Sequence, residues 1–354
     1  MENRKEKLRE VMASWWEKSL PQAKERRVKL KADGDLINDI VGPRRAGKTY
    51  LMFHTVRKLL EKHDKKSIIY LNFENRRLFP LTGEYFNDLI DIILEEELLE
   101  KHEKLFLFLD EVQKISGWEN FVRSIFDEYK GRIKIFVSGS TSKLTSSKLS
   151  YLLTGRHLTT VVFPLSFREF LEFNNVFLEK TLGEKTKAKV SKLFAKYSVE
   201  GGFPESVASS DGEITDALFE DVINRDVAPK VGHKEVIEEI AFFLCSQAGK
   251  TTSFTKLSNA LKARGVKISV PTLEKYFWLM KESFLFFDTQ VFSYKVKDQL
   301  QYPRKVYCID NGFVNRFWFK FSQDRGRMLE NLAAIHLFRN SLEDNRLKIF
   351  YWKS

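Results

Sequence analysis

The alternation of apolar and polar positions divides this sequence into stretches of different character. Between residues 35 and 165, short apolar runs alternate with segments whose apolar residues recur at helical spacing. This alternation is typical of an α/β fold, in which helices cover both faces of a parallel sheet. The pattern predicts strands at 35–41, 67–73, 105–109, 132–137 and 158–163, and helices at 83–101 and 118–129.

The flanking segments are predominantly helical. Residues 2–20 form one amphipathic pattern that Pro21 ends, with Trp15 and Trp16 on its apolar stripe. Such a helix either docks onto the protein's own body or offers its tryptophans to a partner. Residues 166–230 indicate helices only, with an interruption near 201–204.

The last third of the sequence predicts three helices and then a β-hairpin, which is the order of a winged helix. The helices are expected at 235–248, 253–264 and 269–282, and the hairpin arms at 283–287 and 291–296. A further α/β unit then begins, with strands at 305–309 and 347–351 around a helix through 330–340. The predicted domains are an N-terminal helix and connector (1–30), an α/β core (31–165), a helical lid (166–230), a winged helix (231–300) and a partial C-terminal domain (301–354).

One motif lies between the first strand and a segment of helical periodicity. Gly42-Pro-Arg-Arg-Ala-Gly-Lys-Thr49 matches G-x-x-x-x-G-K-[ST], the phosphate-binding loop of P-loop NTPases. The two glycines allow consecutive N–H groups to point at phosphate oxygens, Lys48 can reach the β- and γ-phosphates, and Thr49 offers a hydroxyl to Mg²⁺. The residues expected to contact the nucleotide are Gly42, Pro43, Arg44, Arg45, Ala46, Gly47, Lys48, Thr49 and Tyr50.

A second motif ends the apolar strand at 105–109. Asp110 and Glu111 follow that strand directly, which places both carboxylates at the carboxyl edge of the sheet, where α/β folds bind their ligands. We expect Asp110 to hold Mg²⁺ together with Thr49, and Glu111 to act as the general base for the attacking water. The alternative is that the pair begins a solvated turn.

Three further side chains are weaker candidates. Ser138 and Ser140 follow the next strand, and a hydroxyl there can orient the lytic water, with Ser138 favoured; ordinary turn chemistry is the alternative. Arg156 can neutralise transition-state charge or act only as a cation at the C-terminus of a helix.

Of Arg44 and Arg45, we expect one to touch phosphate or base and the other to be solvated.

The composition limits the class of protein. The chain has 354 residues, 43% hydrophobic and 30% charged, which indicates a soluble globular protein, and no apolar run is long enough to span a membrane. The net charge of +11 permits an acidic partner such as nucleic acid. Cys245 and Cys308 are expected to be buried thiols in the cytoplasm, and the six histidines have no metal-site spacing.

A series of motifs resembles one family, the archaeal and bacterial AAA+-type ATPases that carry a C-terminal domain of unknown function. The resemblance covers about residues 31–354. The motifs are Gly42–Thr49, Asn72-Phe-Glu74, Leu109-Asp-Glu-Val-Gln113, Ser138-Gly-Ser-Thr-Ser-Lys-Leu144, Leu153-Thr-Gly-Arg156, Phe163–Phe170, Gly201-Gly-Phe-Pro-Glu205 and Asn224-Arg-Asp226.

The resemblance implies a five-stranded P-loop ATPase core, a helical lid, a winged helix and a C-terminal domain with a restriction-endonuclease-like core. It also implies that Glu74, Gln113 and Arg156 lie near the nucleotide, and that Arg225-Asp226 lies in the lid. The family's acidic segment beyond the last strand is missing here, although Glu330 could be its first acidic residue. We therefore expect no nuclease activity, since cleavage needs several carboxylates around Mg²⁺.

These features predict binding and hydrolysis of ATP with Mg²⁺, releasing ADP, coupled to movement of the lid and winged helix. The alternative is a slow nucleotide-gated switch or a protein-interaction module with little turnover. Duplex DNA is a candidate partner through the helix at 269–282, with Thr272, Lys275 and Lys281; its many apolar residues favour protein contact instead. A homo-oligomer is a further option, and Arg156 could then act in its own subunit or in a neighbour's.

Overall fold

The computed structural model describes residues 4–140, 155–209, 212–232, 234–317, 325–344 and 346–352. The chain divides into two compact units. The first comprises Met1–Gly42 with Gly47–Val162, and the second comprises Pro43–Ala46 with Phe163–Ser354. Among the described residues, no helix is both long and apolar enough to cross a bilayer.

A five-stranded sheet forms the centre of the first unit. Its strands are β1 (Ile37–Val41), β2 (Ile68–Asn72), β3 (Leu105–Asp110), β4 (Ile133–Gly139) and β5 (His157–Val161). The order is β2-β3-β4-β1-β5, and each neighbouring pair is parallel. The α/β fold with a parallel sheet is therefore as predicted. Strand β3 is internal, as its apolar sequence requires, but β4 occupies the centre.

The helices of this unit are α1 (Arg4–Glu17), α2 (Lys48–Leu59), α3 (Glu84–Glu95), α4 (Leu98–Lys101) and α5 (Trp118–Glu128). The single helix expected at 83–101 is interrupted, because Glu97 adopts a left-handed conformation with φ of 54°. Helix α1 docks onto its own unit. The indole N–H groups of Trp15 and Trp16 both donate to the carbonyl of Ile68, at 2.8 and 3.1 Å.

The second unit begins with helices, as predicted. These are α6 (Phe167–Phe173), α7 (Glu184–Glu200), α8 (Pro204–Ser209) and α9 (Gly212–Val222), and α9 continues into a π-helix at Ile223–Val227. A capping box starts α6, since Ser166 accepts from the backbone N–H of Glu169 while that glutamate accepts from Ser166. The described residues of this stretch contain no strand.

The rest of the second unit combines helices with a small sheet. Its elements are α10 (Lys234–Ser246), β6 (Thr251–Thr252), α11 (Phe254–Ala263), α12 (Val270–Glu282), β7 (Phe286–Val291), α13 (Val296–Gln301), β8 (Arg304–Cys308), α14 (Asn311–Phe317), α15 (Arg325–Glu343) and β9 (Phe350–Tyr351). The sheet order is β6-β8-β7-β9. Strand β8 is antiparallel to β6 and β7, whereas β9 is parallel to β7.

The hairpin differs from the one expected. The predicted arms at 283–287 and 291–296 contribute to one strand, β7, and residues 296–301 form helix α13. The second arm is β8, which pairs with β7 along Phe286–Thr289. The strand expected at 305–309 in a separate C-terminal unit therefore belongs to the same sheet as β7, so a boundary at residue 300 would divide that sheet.

A buried carboxylate explains the Gly-Gly pair at 201–202. Asp310 accepts hydrogen bonds from the backbone N–H groups of Gly202 and Gly312, at 2.7 and 2.8 Å. A Cβ on Gly201 would lie 1.7 Å from Asp310 Oδ1, so a larger residue there would displace the carboxylate. Burial raises the pKa of Asp310 to about 7. Cys245 and Cys308 are buried free thiols, as expected.

Candidate nucleotide site

Backbone geometry at the loop between β1 and α2 requires its glycines. Gly42 has φ of 148°, and a Cβ there would lie 2.1 Å from the carbonyl oxygen of Val162. Gly47 has φ of 97° and immediately precedes the first turn of α2. Lys48 is 5% exposed and its ammonium donates to the carbonyl of Gly42 at 2.9 Å. The Lys48 ammonium thus lies against the loop in which it is expected to bind phosphate.

Asp110, the last residue of β3, is fully buried and collects three hydroxyl groups. Its Oδ2 accepts from Thr49 Oγ1 and from the Tyr70 hydroxyl, each at 2.7 Å, and its Oδ1 accepts from Ser138 Oγ. Sheet order explains the meeting, because β3 lies between the strands that carry Tyr70 and Ser138. The sequence predicted Thr49, Asp110 and Ser138 at this edge, and the structure brings them together.

Tyr70 was missed by sequence reasoning. It lies on β2, and its hydroxyl is the partner of Asp110 from that side. Burial, reinforced by Asp110, raises its pKa, so the phenol stays a neutral donor. A signal was present in the sequence, since Tyr70 is the one hydroxyl within an otherwise apolar run that ends two residues later at the sheet edge.

Glu111 has a left-handed backbone with φ of 55°, uncommon for a residue with a side chain. Its N–H donates to Ser138 Oγ at 3.2 Å. Gln113 Nε2 donates to Glu111 Oε2 at 2.5 Å and to Ser140 Oγ at 3.4 Å. Gln113 and Ser140 therefore lie with Glu111 at the same edge of the sheet as Asp110.

The donor set around Asp110 fits Mg²⁺. The ion prefers oxygen ligands and is commonly bound by one or two carboxylates with substrate phosphates and water. Asp110 supplies the carboxylate and Thr49 the hydroxyl, and the described side chains that bond to Asp110 are neutral hydroxyls. No group of three or more metal-binding side chains occurs in the described part of the chain. The fit therefore rests on the Asp110 carboxylate and the Thr49 hydroxyl, which lie 2.7 Å apart.

Arg156 lies at the opposite edge of the sheet in the first unit. The backbone carbonyl of Arg156 accepts from the N–H of Ile37, where β1 and β5 start, and its side chain pairs with Asp127 at 2.8 Å. Asp110 is at the other end of the strands, and five residues of strand span roughly 16 Å. Arg156 is therefore distant from Asp110 of its own chain, and its role at a nucleotide, in its own or a neighbouring subunit, stays a prediction.

Glu74 follows β2 at the carboxyl edge of the sheet. The preceding residue, Phe73, donates its backbone N–H to the carbonyl of Asp110 at 3.0 Å. The Glu74 carboxylate pairs with Lys114 at 3.2 Å. Its expected place near the nucleotide stays a prediction.

Both loop arginines are paired with carboxylates within the second unit. Arg44 is 9% exposed, and its Nε lies 3.0 Å from each carboxylate oxygen of Asp226. Arg45 forms ion pairs with Glu205 at 2.9 Å and with Asp221 at 2.6 Å. Arg45 is thus the exposed arginine of the two, and contact of either with phosphate or base stays a prediction.

The remaining predicted loop residues have ordinary local contacts. The N–H of Ala46 donates to the carbonyl of Pro43 at 3.3 Å, which closes a turn at the tip of the loop. Tyr50 is half exposed and its ring meets Phe53 edge-on at 6.2 Å. An exposed aromatic ring just after the loop is available to stack on a base.

The expected DNA-reading helix, α12, has less cationic surface than its sequence indicated. Lys281 pairs with the buried Asp288, whereas Lys275 is exposed and Thr272 is partly so. Trp278 is 54% exposed on the same helix. The candidate nuclease residue Glu330 is engaged by Lys305 and by the Tyr307 hydroxyl.

Comparison with known proteins places this chain among AAA proteins. The family model described as "AAA domain" matches residues 35–171, and the model "Domain of unknown function (DUF8612)" matches residues 191–324. The Walker-type ATPase PABY2304 of Pyrococcus abyssi has a similar solved structure, with a TM-score of 0.50 and 14% identity, over 89% of this chain and 95% of that one. These likenesses establish an α/β P-loop NTPase fold.

Two curated relatives extend over most of the chain. Uncharacterized protein MJ1544 of Methanocaldococcus jannaschii is 33% identical over 334 residues, which is 93% of this chain and 72% of that protein. An uncharacterized protein of Haemophilus influenzae is 29% identical, over 87% of this chain and 75% of its own length. The chain therefore belongs to the same family as MJ1544, and its own residues 35–171 match the AAA domain.

Proposed function

We propose that this chain binds ATP together with Mg²⁺ and hydrolyses the β–γ anhydride to give ADP and phosphate. The observation that carries the proposal is the 2.7 Å contact between Thr49 Oγ1 and Asp110 Oδ2. A hydroxyl from the phosphate loop and a buried carboxylate from the neighbouring motif meet where a nucleotide-bound cation needs both.

Each residue has a distinct role in this proposal. Lys48 and the loop amides bind phosphate oxygens, while Thr49 and Asp110 would hold Mg²⁺, which supplies charge neutralisation to the phosphates when bound. Glu111 accepts the proton of the attacking water as general base. Gln113 and Ser138 orient that glutamate, through its Oε2 and its backbone N–H respectively.

Turnover measurements on two variants test the proposal. Lys48→Ala should abolish nucleotide binding, because the loop loses the cation that reaches the β- and γ-phosphates. Glu111→Gln should bind ATP as tightly as the wild type yet hydrolyse it about 100-fold more slowly, a loss of the size general-base catalysis supplies. Normal hydrolysis by Glu111→Gln would reject the base assignment, and absent ATP binding by the wild type would reject the function.

The coupled action is a second part of the proposal. γ-Phosphate contacts can order or release neighbouring segments, so we propose that ATP binding changes the conformation of the helices in the second unit. The three helices at α10, α11 and α12 followed by the paired strands β7 and β8 support a winged helix, although α13 lies between the two strands, and a winged helix makes duplex DNA a candidate partner. DNA contact requires an affinity that falls steeply with added salt, and a flat response would exclude it.

A second candidate function is a nucleotide-gated switch that contacts another protein. It is favoured by Trp278, which is 54% exposed on α12 while Lys281 of that helix is held by Asp288. Tryptophan is enriched at protein interfaces, and a base-reading helix would present more donors. Turnover slower than once per minute with and without duplex DNA would support the switch, whereas stimulation by DNA would reject it.

We also propose that Arg156, if it acts on phosphate, acts on the nucleotide of a neighbouring copy in a homo-oligomer. Its place at the amino end of the sheet separates it from Asp110 of its own chain. Mixing Arg156→Ala with Lys48→Ala chains should then restore part of the lost turnover, because each variant supplies what the other lacks. Failure of the mixture to exceed the sum of its components would reject an action between copies.

A further inference from the structure

The tip of the phosphate loop is held by three carboxylates of the second unit. Pro43–Ala46 belongs to that unit, and the same four residues are joined covalently to Gly42 and Gly47 of the loop. Arg44 pairs with Asp226, and Arg45 pairs with Glu205 and Asp221. A movement of these arginines is therefore transmitted to the phosphate loop through its own backbone.

The two arginines differ in how firmly they are held. Arg44 and Asp226 are both nearly buried, and Asp226 lies in the π-helix that follows α9, a rare element that occurs often at functional sites. The side chain of Arg45 is 39% exposed, and that of its partner Glu205 is 47% exposed. Breaking a buried ion pair leaves an uncompensated charge, whereas an exposed pair exchanges partners at little cost.

Arg45 has an unusual backbone conformation, and its guanidinium is engaged by carboxylates. Its φ is +58°, in the left-handed region that side chains rarely adopt. The guanidinium donates from Nη1 to both oxygens of Glu205 and from Nη2 to Asp221, so its fork is occupied by carboxylates. Phosphate oxygens accept from the same fork with the same geometry.

We propose that Arg45 exchanges Glu205 and Asp221 for the triphosphate when ATP binds, while Arg44 and Asp226 remain paired as the fixed anchor. This inference rests on the proposed nucleotide binding. The exchange frees Glu205 on α8 and Asp221 on α9 from Arg45, while Asp221 keeps its pair with Arg225 at 3.2 Å, and thereby signals nucleotide occupancy to both helices. Without nucleotide, the carboxylates compete with phosphate for the arginine and lower the affinity for ATP.

Equilibrium binding of ATP and ADP to the full chain tests the exchange. The double variant Glu205→Gln with Asp221→Asn should bind ATP about fivefold more tightly, the effect of removing part-exposed ion pairs. ADP, which lacks the γ-phosphate, should gain less. Arg45→Ala should weaken ATP binding about fivefold and, in combination with the double variant, should cancel its gain, since the competition requires the arginine.

Glu220→Gln is the matched control, because it removes an exposed carboxylate from α9 whose side chain is not one of the loop's partners. It should leave both affinities unchanged. Hydrogen exchange provides a second readout: amides of residues 204–209 and 212–222 should change protection on addition of ATP in the wild type but not in Arg45→Ala.

The outcomes separate this inference from the function on which it rests. If the wild type fails to bind ATP, the proposed function fails. If the wild type binds ATP but the double variant binds it with unchanged or weaker affinity, the exchange is rejected and the function stands. A merely structural role for the ion pairs would lower the stability of the double variant and could not raise its affinity for ATP.

Discussion

Two fully buried aspartates on the same sheet have opposite surroundings. Asp39, in the middle of β1, pairs with His157 Nδ1 at 3.1 Å and accepts from Thr159 Oγ1 at 2.6 Å. Asp110, at the end of β3, is bonded by the hydroxyls of Thr49, Tyr70 and Ser138. One carboxylate has a basic partner within its own sheet, and the other has neutral donors.

Position along the strand explains the contrast. Asp39 is in register with Thr159, and His157 lies two residues earlier on the same face of β5, so strand pairing alone supplies both partners. Asp110 lies at the carboxyl edge, where a ligand can approach. Burying a charged carboxylate without a counter-charge costs free energy. Proteins keep such residues mainly at functional sites. The comparison thus supports our proposal that Asp110 binds a ligand, whereas Asp39 is paired within the sheet.

Replacing the edge carboxylate should have the largest effect on activity. Asp110→Asn keeps an oxygen for the hydroxyls but loses the charge that would hold Mg²⁺, so ATP turnover should fall about 100-fold or more. The unfolding temperature without nucleotide should stay level or rise, because a buried charge is removed. Steady-state hydrolysis and thermal unfolding of the same preparation measure both. Clear destabilisation with normal turnover would reverse our assignment of this residue.

The matched change at the interior carboxylate should do the opposite. Asp39→Asn removes the charge that pairs with His157, and the lost charged hydrogen bonds should cost about 2 kcal/mol of stability. Turnover per folded molecule should remain near wild type, because Asp39 does not contact the phosphate loop residues of the proposed mechanism. Denaturant titration gives the free energy of unfolding. A stability loss below about 0.5 kcal/mol would show that the ion pair contributes little.

The contrast between Asp110 and Asp39 also shows which features of the site could be predicted from the sequence. Asp110 and the phosphate loop are recognisable because neighbouring residues along the chain carry the chemistry, so their strand-loop-helix context follows from periodicity. Tyr70 and the pairing of Asp39 with His157 depend on which strands are neighbours, and periodicity does not give strand order. Arg156 immediately precedes β5, so its position at the amino end of the sheet follows from chain order, whereas its action in its own or a neighbouring subunit depends on an assembly that one sequence does not describe.

The hairpin of the second unit illustrates a different limit. Two apolar runs separated by Asp288-Thr-Gln290 predicted two arms with a turn, but the charge of Asp288 is matched by Lys281 and Arg304. The polar residue is thus accommodated within one strand, β7, and the turn lies further along the chain. The partners that make this possible come from α12 and β8, which no local pattern identifies.

Removal of the Tyr70 hydroxyl should produce a smaller effect. Tyr70→Phe leaves the ring in place but takes one of three donors from Asp110, which can then orient less well toward its ligand. We expect kcat to fall about three- to tenfold, a loss of the size of one hydrogen bond to a charged group. The Mg²⁺ concentration needed for half-maximal turnover should rise in parallel. Unchanged values for both would show that Thr49 and Ser138 suffice.

The contribution of Asp39 to stability should depend on pH, because its hydrogen bond with His157 raises the pKa of that histidine. A raised folded-state pKa adds stability that is complete below the ordinary histidine value near 6.5 and is lost as pH rises through the folded value. The difference in unfolding temperature between wild type and Asp39→Asn should therefore be largest at pH 5.5–6.5 and shrink toward pH 8.5. In a His157→Gln background the same difference should be independent of pH. A difference that grows with pH would contradict a charged histidine as the partner of Asp39.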